Sequence, residues 1–343
     1  MATAWFIAIA LLWALYLVLE GFDFGVGMLL RRVRGGGDHH DRRVAMHAIG
    51  PTWAANEVWL VIAVVAMFGA FPGWYAAWAS SLYLPLSVVL LALIARNASI
   101  ELLGKREDEP WRRGWERVLA VSSTVAPFCW GLIWGAALDG VALPGSSAVG
   151  GPLDVFSWYA VLCGVALVAV CRALGAAFLT LRTEELVRAR AARELRVAAP
   201  AAALLGGSVL VWTDGLGAVG WVAVSLCSVA LGVLVFARRR PGWAFAGGCV
   251  AVGLLVAVWF SALFPAGLRA RGGGPGLVLA DVAAGHYTLV LMTVLAGVML
   301  PLLLAVQAWS YWLFRERVTR AAVGAPRPSP VDLLARVAEK RGW

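Results

Sequence analysis

The chain has 343 residues, of which 61% are hydrophobic and 14% charged, with a mean hydropathy of +0.80. Soluble domains carry about 45–50% apolar and about 25% charged residues, so composition excludes a soluble enzyme and points to a polytopic membrane protein. The formal net charge of +9 does not indicate a nucleic-acid partner, because most arginines fall in short runs between apolar stretches, the pattern of cytoplasmic loops.

About 20 apolar residues at 1.5 Å each cross a hydrocarbon core near 30 Å thick. Apolar stretches of that kind predict nine helices, at about 4–30, 50–71, 74–103, 118–138, 155–181, 197–213, 217–237, 242–264 and 287–314. A backbone in lipid must satisfy its own hydrogen bonds, and ten-residue alternating strands are absent, so helices rather than a barrel are expected. The first stretch has no basic residues before Leu12 and runs past Glu20 to Leu30 without a small-residue cleavage site; it reads as a retained helix, not a signal peptide. Gly35-Gly36-Gly37 follows as a flexible loop. The sixth and seventh stretches are joined only by Thr213-Asp214-Gly215-Leu216, so one long bent pair is an alternative there. Residues 1–314 form a single transmembrane domain in this reading. Residues 315–343, with Pro326, Pro328 and Pro330, form a basic cytoplasmic tail expected to be exposed and poorly ordered.

The segments 31–43, 104–117, 182–196, 238–240 and 315–343 carry five, five, five, three and seven of the 29 Lys and Arg, while the intervening loops hold only Arg269 and Arg271. The positive-inside rule then places the N-terminus outside and the C-terminus in the cytoplasm. Trp74, Trp78, Trp309 and Trp312 fit either interfacial anchoring or packing. The five cysteines are scattered singly, with no CxxC or Cys/His spacing, and read as small packing residues.

The informative residues are the ionisable ones inside the spans: Glu20, Asp23, Glu57, Arg96, Glu101 and Arg172, all in the cytoplasmic half. A charge at a helix centre costs about 2.5–3.5 kcal/mol on the insertion scale, so each marks a candidate functional site. Four acids against two guanidinium groups would leave uncompensated negative charge in a low dielectric. Carboxyls in such a place can exchange protons with a water-linked path to the cytoplasm. The alternative is a structural network in which Arg96 and Arg172 hold the first, second, third and fifth helices together. Glu101, nearest the boundary, reads as interfacial. Asn56 and Asn97 add hydrogen-bonding groups, Asn97 and Glu101 being four apart on one face. Gly21 and Gly25 form a GxxxG pair that Gly27 continues, a surface for close approach of a helix of this chain or of a partner.

Four histidines stand in a charged loop (His39, His40) or at span boundaries (His47, His286), so no facing mid-membrane pair is available to hold a b-type haem. No metal site, P-loop, GxSxG or dinucleotide motif occurs in usable context.

Leu19-Glu20-Gly21-Phe22-Asp23-Phe24-Gly25-Val26-Gly27-Met28 closely resembles the first-helix signature of cytochrome bd oxidase subunit II. Ile49-Gly50-Pro51-Thr52-Trp53 with Asn56-Glu57-Val58-Trp59-Leu60 resembles that family's second-helix motif, W-D-G-N-(E/Q)-V-W. Phe71-Pro72-Gly73-Trp74-Tyr75, Arg96 with Glu101, Tyr287-Thr288-Leu289 with Met292-Thr293, and Trp309-Ser310-Tyr311-Trp312 extend the likeness along the chain. The resemblance implies an all-α membrane protein of nine helices, two four-helix bundles plus one, in the bacterial inner membrane. It implies a heterodimer core with a subunit I that carries haem b, haem d and the quinol site, and leaves room for small accessory subunits. This chain then binds no cofactor alone, apart from a structurally held quinone or lipid, and has no complete active site. It supports its partner in a quinol:oxygen oxidoreductase and contributes to a cytoplasmic proton route. Glu20, Asp23, Asn56, Glu57, Arg96, Asn97, Glu101 and Arg172 are the candidates for that route or for a polar network; Gly21, Gly25, Gly27, Trp53 and Trp59 are candidates for packing or partner contact. The chain departs from the family at Ala54-Ala55, where Asp-Gly is usual, so the second-helix carboxylate is missing and Glu57 stands nearest to it. It also departs at Leu102-Leu103, where an Arg after an aromatic is usual, and at Asn97, where a small residue is. The rival readings are a proton-coupled transporter, which would need matching Gly/Pro-broken helices that the two halves lack, and a purely structural subunit.

Overall fold

The computed structural model describes residues 1–33, 39–106, 108–143, 151, 153–236, 239–273 and 276–319. The Gly35-Gly36-Gly37 loop and the tail from residue 320 lie outside the described residues. Among the described residues nine helical spans are long and apolar enough to cross a membrane, the number expected. They are α1 (Ala2–Val33), α2–α3 (His39–Ile49 and Trp53–Ala70), α4–α5 (Pro72–Ser81 and Tyr83–Leu102), α6 (Glu109–Asp139), α7 (Trp158–Arg182), α8 (Glu185–Trp212), α9 (Ala218–Phe236), α10 (Pro241–Leu263) and α11 (His286–Leu313).

Where these bounds differ from expectation, local chemistry explains the difference. The loop read at 31–43 contains the start of α2, and a turn at Gly50 and Pro51 separates it from α3, because Pro51 has no N–H and restricts the residue before it. The third span is broken at Leu82: Pro85 cannot donate to the Ser81 carbonyl and its ring crowds that group. Helices α6 and α8 begin well before the apolar stretches that announced them, at Glu109 and Glu185. Pro110 suits a first helical turn, and the Arg, Ala, Glu and Leu of 185–196 are good helix formers, so the helices continue where hydropathy ends. The sixth and seventh spans are separate helices, joined through Gly215 at φ +73°, a conformation that favours glycine. The link between α10 and α11 holds a two-stranded antiparallel sheet, β1 (Ala266–Leu268) and β2 (Leu277–Val278). Arg269 N and Arg271 N donate to Ala137 O and Val141 O at 3.2 and 3.0 Å, tying this link to the end of α6.

The first four spans pack as one group and the next four as another, with α1 and α6 meeting α7 and α10 along the seam, while α11 stands aside against α3. The crossing of α1 and α7 is backbone on backbone: a Cβ added at Gly25 would lie 2.7 Å from Gly175 Cα. Gly27 sits against Ser123 of α6, and Gly21 faces the Cys171 thiol of α7. The small face of α1 therefore seats helices of this chain, which lets interhelical packing act without a hydrophobic driving force. Toward the other end of α1, Trp13 packs edge-on to Trp130 and Trp134 at 4.9 and 5.1 Å, and Trp130 Nε1 donates to Tyr16 Oη at 3.0 Å.

Candidate functional site

Glu20 and Asp23 lie one turn apart on α1 and both side chains are wholly buried. Helical spacing brings them to the same face, where α3, α5 and α11 supply the partners. Arg96 of α5, also wholly buried, forms an ion pair with Glu20, and its guanidinium lies over the Phe24 ring, 5.0 Å from the centroid. Among the described residues, Glu20 Oε2, Asp23 Oδ1 and Arg96 Nε and Nη2 are buried with no hydrogen-bond partner.

Asp23 is held from the other side. Asn56 Nδ2 of α3 donates to Asp23 Oδ2 at 2.8 Å and to Leu19 O at 3.3 Å. Its Oδ1 accepts from Gln307 Nε2 and Tyr311 Oη of α11, both at 2.8 Å. One residue on, Glu57 is half-buried and accepts from a second amide, Asn97 Nδ2 of α5 lying 2.8 and 3.1 Å from its two carboxylate oxygens. Glu57 is within electrostatic range of Glu20. The cluster thus joins three carboxylates to one guanidinium and is fixed by two asparagines. With Glu20 and Asp23 both ionised, Arg96 would balance only one of them, a costly arrangement in a low dielectric.

Two expected members stand elsewhere. Arg172 pairs with Glu194 of α8, and Glu194 also meets Arg32 at 3.5 Å, so Arg172 joins a separate ion ladder instead of the acids of α1. The reason is the extension of α8: Glu194, in a segment read as loop, is on a helix packed against α7. Glu101 is exposed at the end of α5, and the amide of Asn97 turns to Glu57 rather than to Glu101. Trp59 is buried within the chain and Trp53 half-buried. Ala54 is exposed on α3, so a carboxylate at this place would point out of the chain rather than into the cluster.

Gln307 and Tyr311 were not expected as members. A signal for them exists: Gln307 is the one amide in α11, and Tyr311 follows it at i+4 on the same face. At the basic ends of the helices, two further ion pairs tie α2 into place, Arg42 with Glu116 at 2.8 Å and Arg190 with Asp41 at 2.7 Å. Among the described residues no group of three or more His, Cys, Asp or Glu is placed to hold a metal ion.

Comparison with known proteins adds the following. Residues 1–314 match the family model described as cytochrome bd terminal oxidase subunit II. The chain is 32% identical over 326 residues to cytochrome bd ubiquinol oxidase subunit 2 of Bacillus subtilis, covering 92% of this chain and 96% of that one. It is 27% identical over 360 residues to cytochrome bd-I ubiquinol oxidase subunit 2 of Escherichia coli K12, covering 92% and 94%. The fold is like that of a chain of the bd oxidase from Geobacillus thermodenitrificans, with a TM-score of 0.73 over 92% of this chain and 97% of that one at 18% identity.

Proposed function

Because the chain belongs to the family of cytochrome bd terminal oxidase subunit II, we propose that it is the haem-free partner of a haem-bearing subunit I and that its buried acids carry protons to that partner. In this reading the haems of subunit I take electrons from quinol and pass them to oxygen. Two quinols give four electrons, and oxygen takes four protons to become two water molecules. The chain's own part is the hydrogen ions.

The observation that carries the proposal is the placement of Glu20 and Asp23, both wholly buried, beside a single guanidinium. A purely structural network would balance its charges, since a buried ion pair already gains little over apolar packing. An unbalanced pair of carboxyls can instead hold and release a proton between them. At 1.5 Å per residue, Asp23 lies about 15 Å from the end of α1 and Arg96 about 9 Å from the end of α5, and both ends carry basic residues assigned to the cytoplasm. Glu57, half-buried and held by Asn97, is the entry side of the route; Glu20 and Asp23 are its inner station. The unpartnered oxygens Glu20 Oε2 and Asp23 Oδ1 are the atoms on which the proton rests. Asn56 and Asn97 orient the carboxylates, and Arg96 keeps one negative charge in place between transfers.

The test is made on the complex purified from native membranes. A haem-bearing subunit copurifies, and Asp23→Asn or Glu57→Gln lowers oxygen-reduction turnover while haem content stays normal. Unchanged turnover in both variants would assign the acids to structure alone.

A further inference from the structure

We propose that Tyr311 and Gln307 of α11 are positioning residues that, acting through Asn56, decide which face of Asp23 is open to a proton. The inference rests on the proton-carrying reading of Asp23 and adds to it the ninth span as the element that sets the carboxylate.

The amide of Asn56 has two sides and the structure gives each a distinct task. Leu19 O is an acceptor only, so the atom facing it must be the NH2 group, and the same group donates to Asp23 Oδ2 at 2.8 Å. The carbonyl oxygen then points to α11, where it receives two donors at 2.8 Å, Gln307 Nε2 and Tyr311 Oη. The two donors hold the amide against the half-turn about its last bond that would bring a carbonyl to the carboxylate. With the NH2 in place, Oδ2 of Asp23 is occupied by a donor, and Oδ1, buried and without a hydrogen-bond partner among the described residues, is the oxygen left to take a proton. A released amide could offer Asp23 an acceptor instead, which repels the carboxylate and favours the acid. The same proton would then be harder to hand on.

The position of α11 makes this arrangement consequential. Only 6% of its apolar window is buried within the chain, and along its exposed surface the half-buried positions Met292, Ala296, Leu300, Gln307 and Tyr311 form the stripe turned to the rest of the molecule. Near its start Trp5 Nε1 donates to Thr293 Oγ1 at 3.1 Å; in its second half the polar tie is to Asn56. Polar side chains inside a membrane bundle are expensive unless paired, and here both are spent on one acceptor next to the acid. The titratable groups around Asp23 are Glu20 on α1, Glu57 on α3, Arg96 on α5 and Tyr311 itself, with Cys171 of α7 beside Glu20. Of these only Tyr311 reaches Asp23 through the oriented amide.

The experiment uses the complete haem-bearing complex carrying Tyr311→Phe, Gln307→Met or both, beside Asp23→Asn. Turnover and KM for quinol are measured, and the infrared carbonyl stretch of the protonated acid is assigned to Asp23 by its loss in Asp23→Asn. Removing both donors is expected to lower kcat about five- to tenfold, the weight of one oriented hydrogen bond, with KM for quinol unchanged and the Asp23 band displaced. A merely structural role would leave that band where it is. Tyr311→Phe removes one oxygen and keeps the ring, so where the double variant assembles poorly the band in Tyr311→Phe decides. A double variant with kcat within about twofold of the parent and an unmoved band, while Asp23→Asn is slow, overturns this inference and leaves the proton route standing. Asp23→Asn as fast as the parent overturns this inference, and overturns the proton route as well when Glu57→Gln is equally fast.

Discussion

Replacing Arg96 by Met tests the energetics of the buried cluster most directly. Both side chains of the Glu20–Arg96 pair are wholly inaccessible, so no solvent takes over when one partner goes. Breaking such a pair from one side costs about 3–5 kcal/mol, because the remaining charge must be neutralised or left uncompensated. At about 1.4 kcal/mol per tenfold, the ratio of assembled to unassembled complex falls between a hundredfold and several thousandfold. The lost contact with Phe24 adds about 0.5–2 kcal/mol. Glu20→Met leaves the guanidinium to Asp23, which is within its electrostatic reach, and costs less, whereas the double variant Glu20→Met/Arg96→Met replaces the pair by apolar groups of like volume and is expected to be more stable than Arg96→Met alone. The assay is the yield of haem-bearing complex and the temperature at which half of it is lost, across all four members of the cycle; activity is not read. A non-additive rescue of at least about 2 kcal/mol is the expected result. If the cost of the double variant equals the sum of the two single-variant costs, the pair has no coupling and the reasoning about charge in this cluster is refuted.

Two further outcomes follow from packing alone. Gly25→Ala puts a methyl 2.7 Å from Gly175 Cα and is expected to lower thermal stability by about 1–3 kcal/mol, while Gly207→Ala on α8, where nothing lies within 4 Å of the new Cβ, is neutral or gains up to about 1 kcal/mol from helix propensity; equal effects in a melting assay would show that the α1–α7 crossing is not tight. The thiols Cys129, Cys163, Cys171 and Cys227 are buried and Cys249 half-buried inside a span, so a charged maleimide is expected to label none of them until the complex unfolds, and mass spectrometry showing early modification of Cys171 would contradict the burial of the helix seam.

The spans were legible because the need to bury backbone polar groups in lipid writes itself into twenty-residue apolar runs. Their ends were not, since the charged starts of α6 and α8 keep helical propensity after hydropathy stops reporting it. Glu20, Asp23, Asn56, Glu57, Arg96 and Asn97 could be singled out by charge or polarity in an apolar setting, and the structure gathers all six. What one-dimensional reasoning could not supply was pairing. Arg172 and Arg96 look alike in the sequence, and only the placement of α7 beside α8 and of α5 beside α1 sends one to Glu194 and the other to Glu20. Gln307 and Tyr311 were missed as site members for a different reason: a neutral amide and a phenol raise no electrostatic alarm, and their value lies in meeting one acceptor across the gap to α3.

The glycine crossing of α1 and α7 bears on how any traffic past Glu20 and Asp23 must occur. Asp23 is two residues from Gly25, whose backbone rests on that of Gly175, and a rod pinned there can neither slide nor roll without main-chain atoms overlapping. Alternating exposure by a rocking helix is therefore closed to this part of the molecule. On the proposed proton-carrying reading, transfer would run through a fixed frame, by rotation of carboxyls and water about a stationary axis.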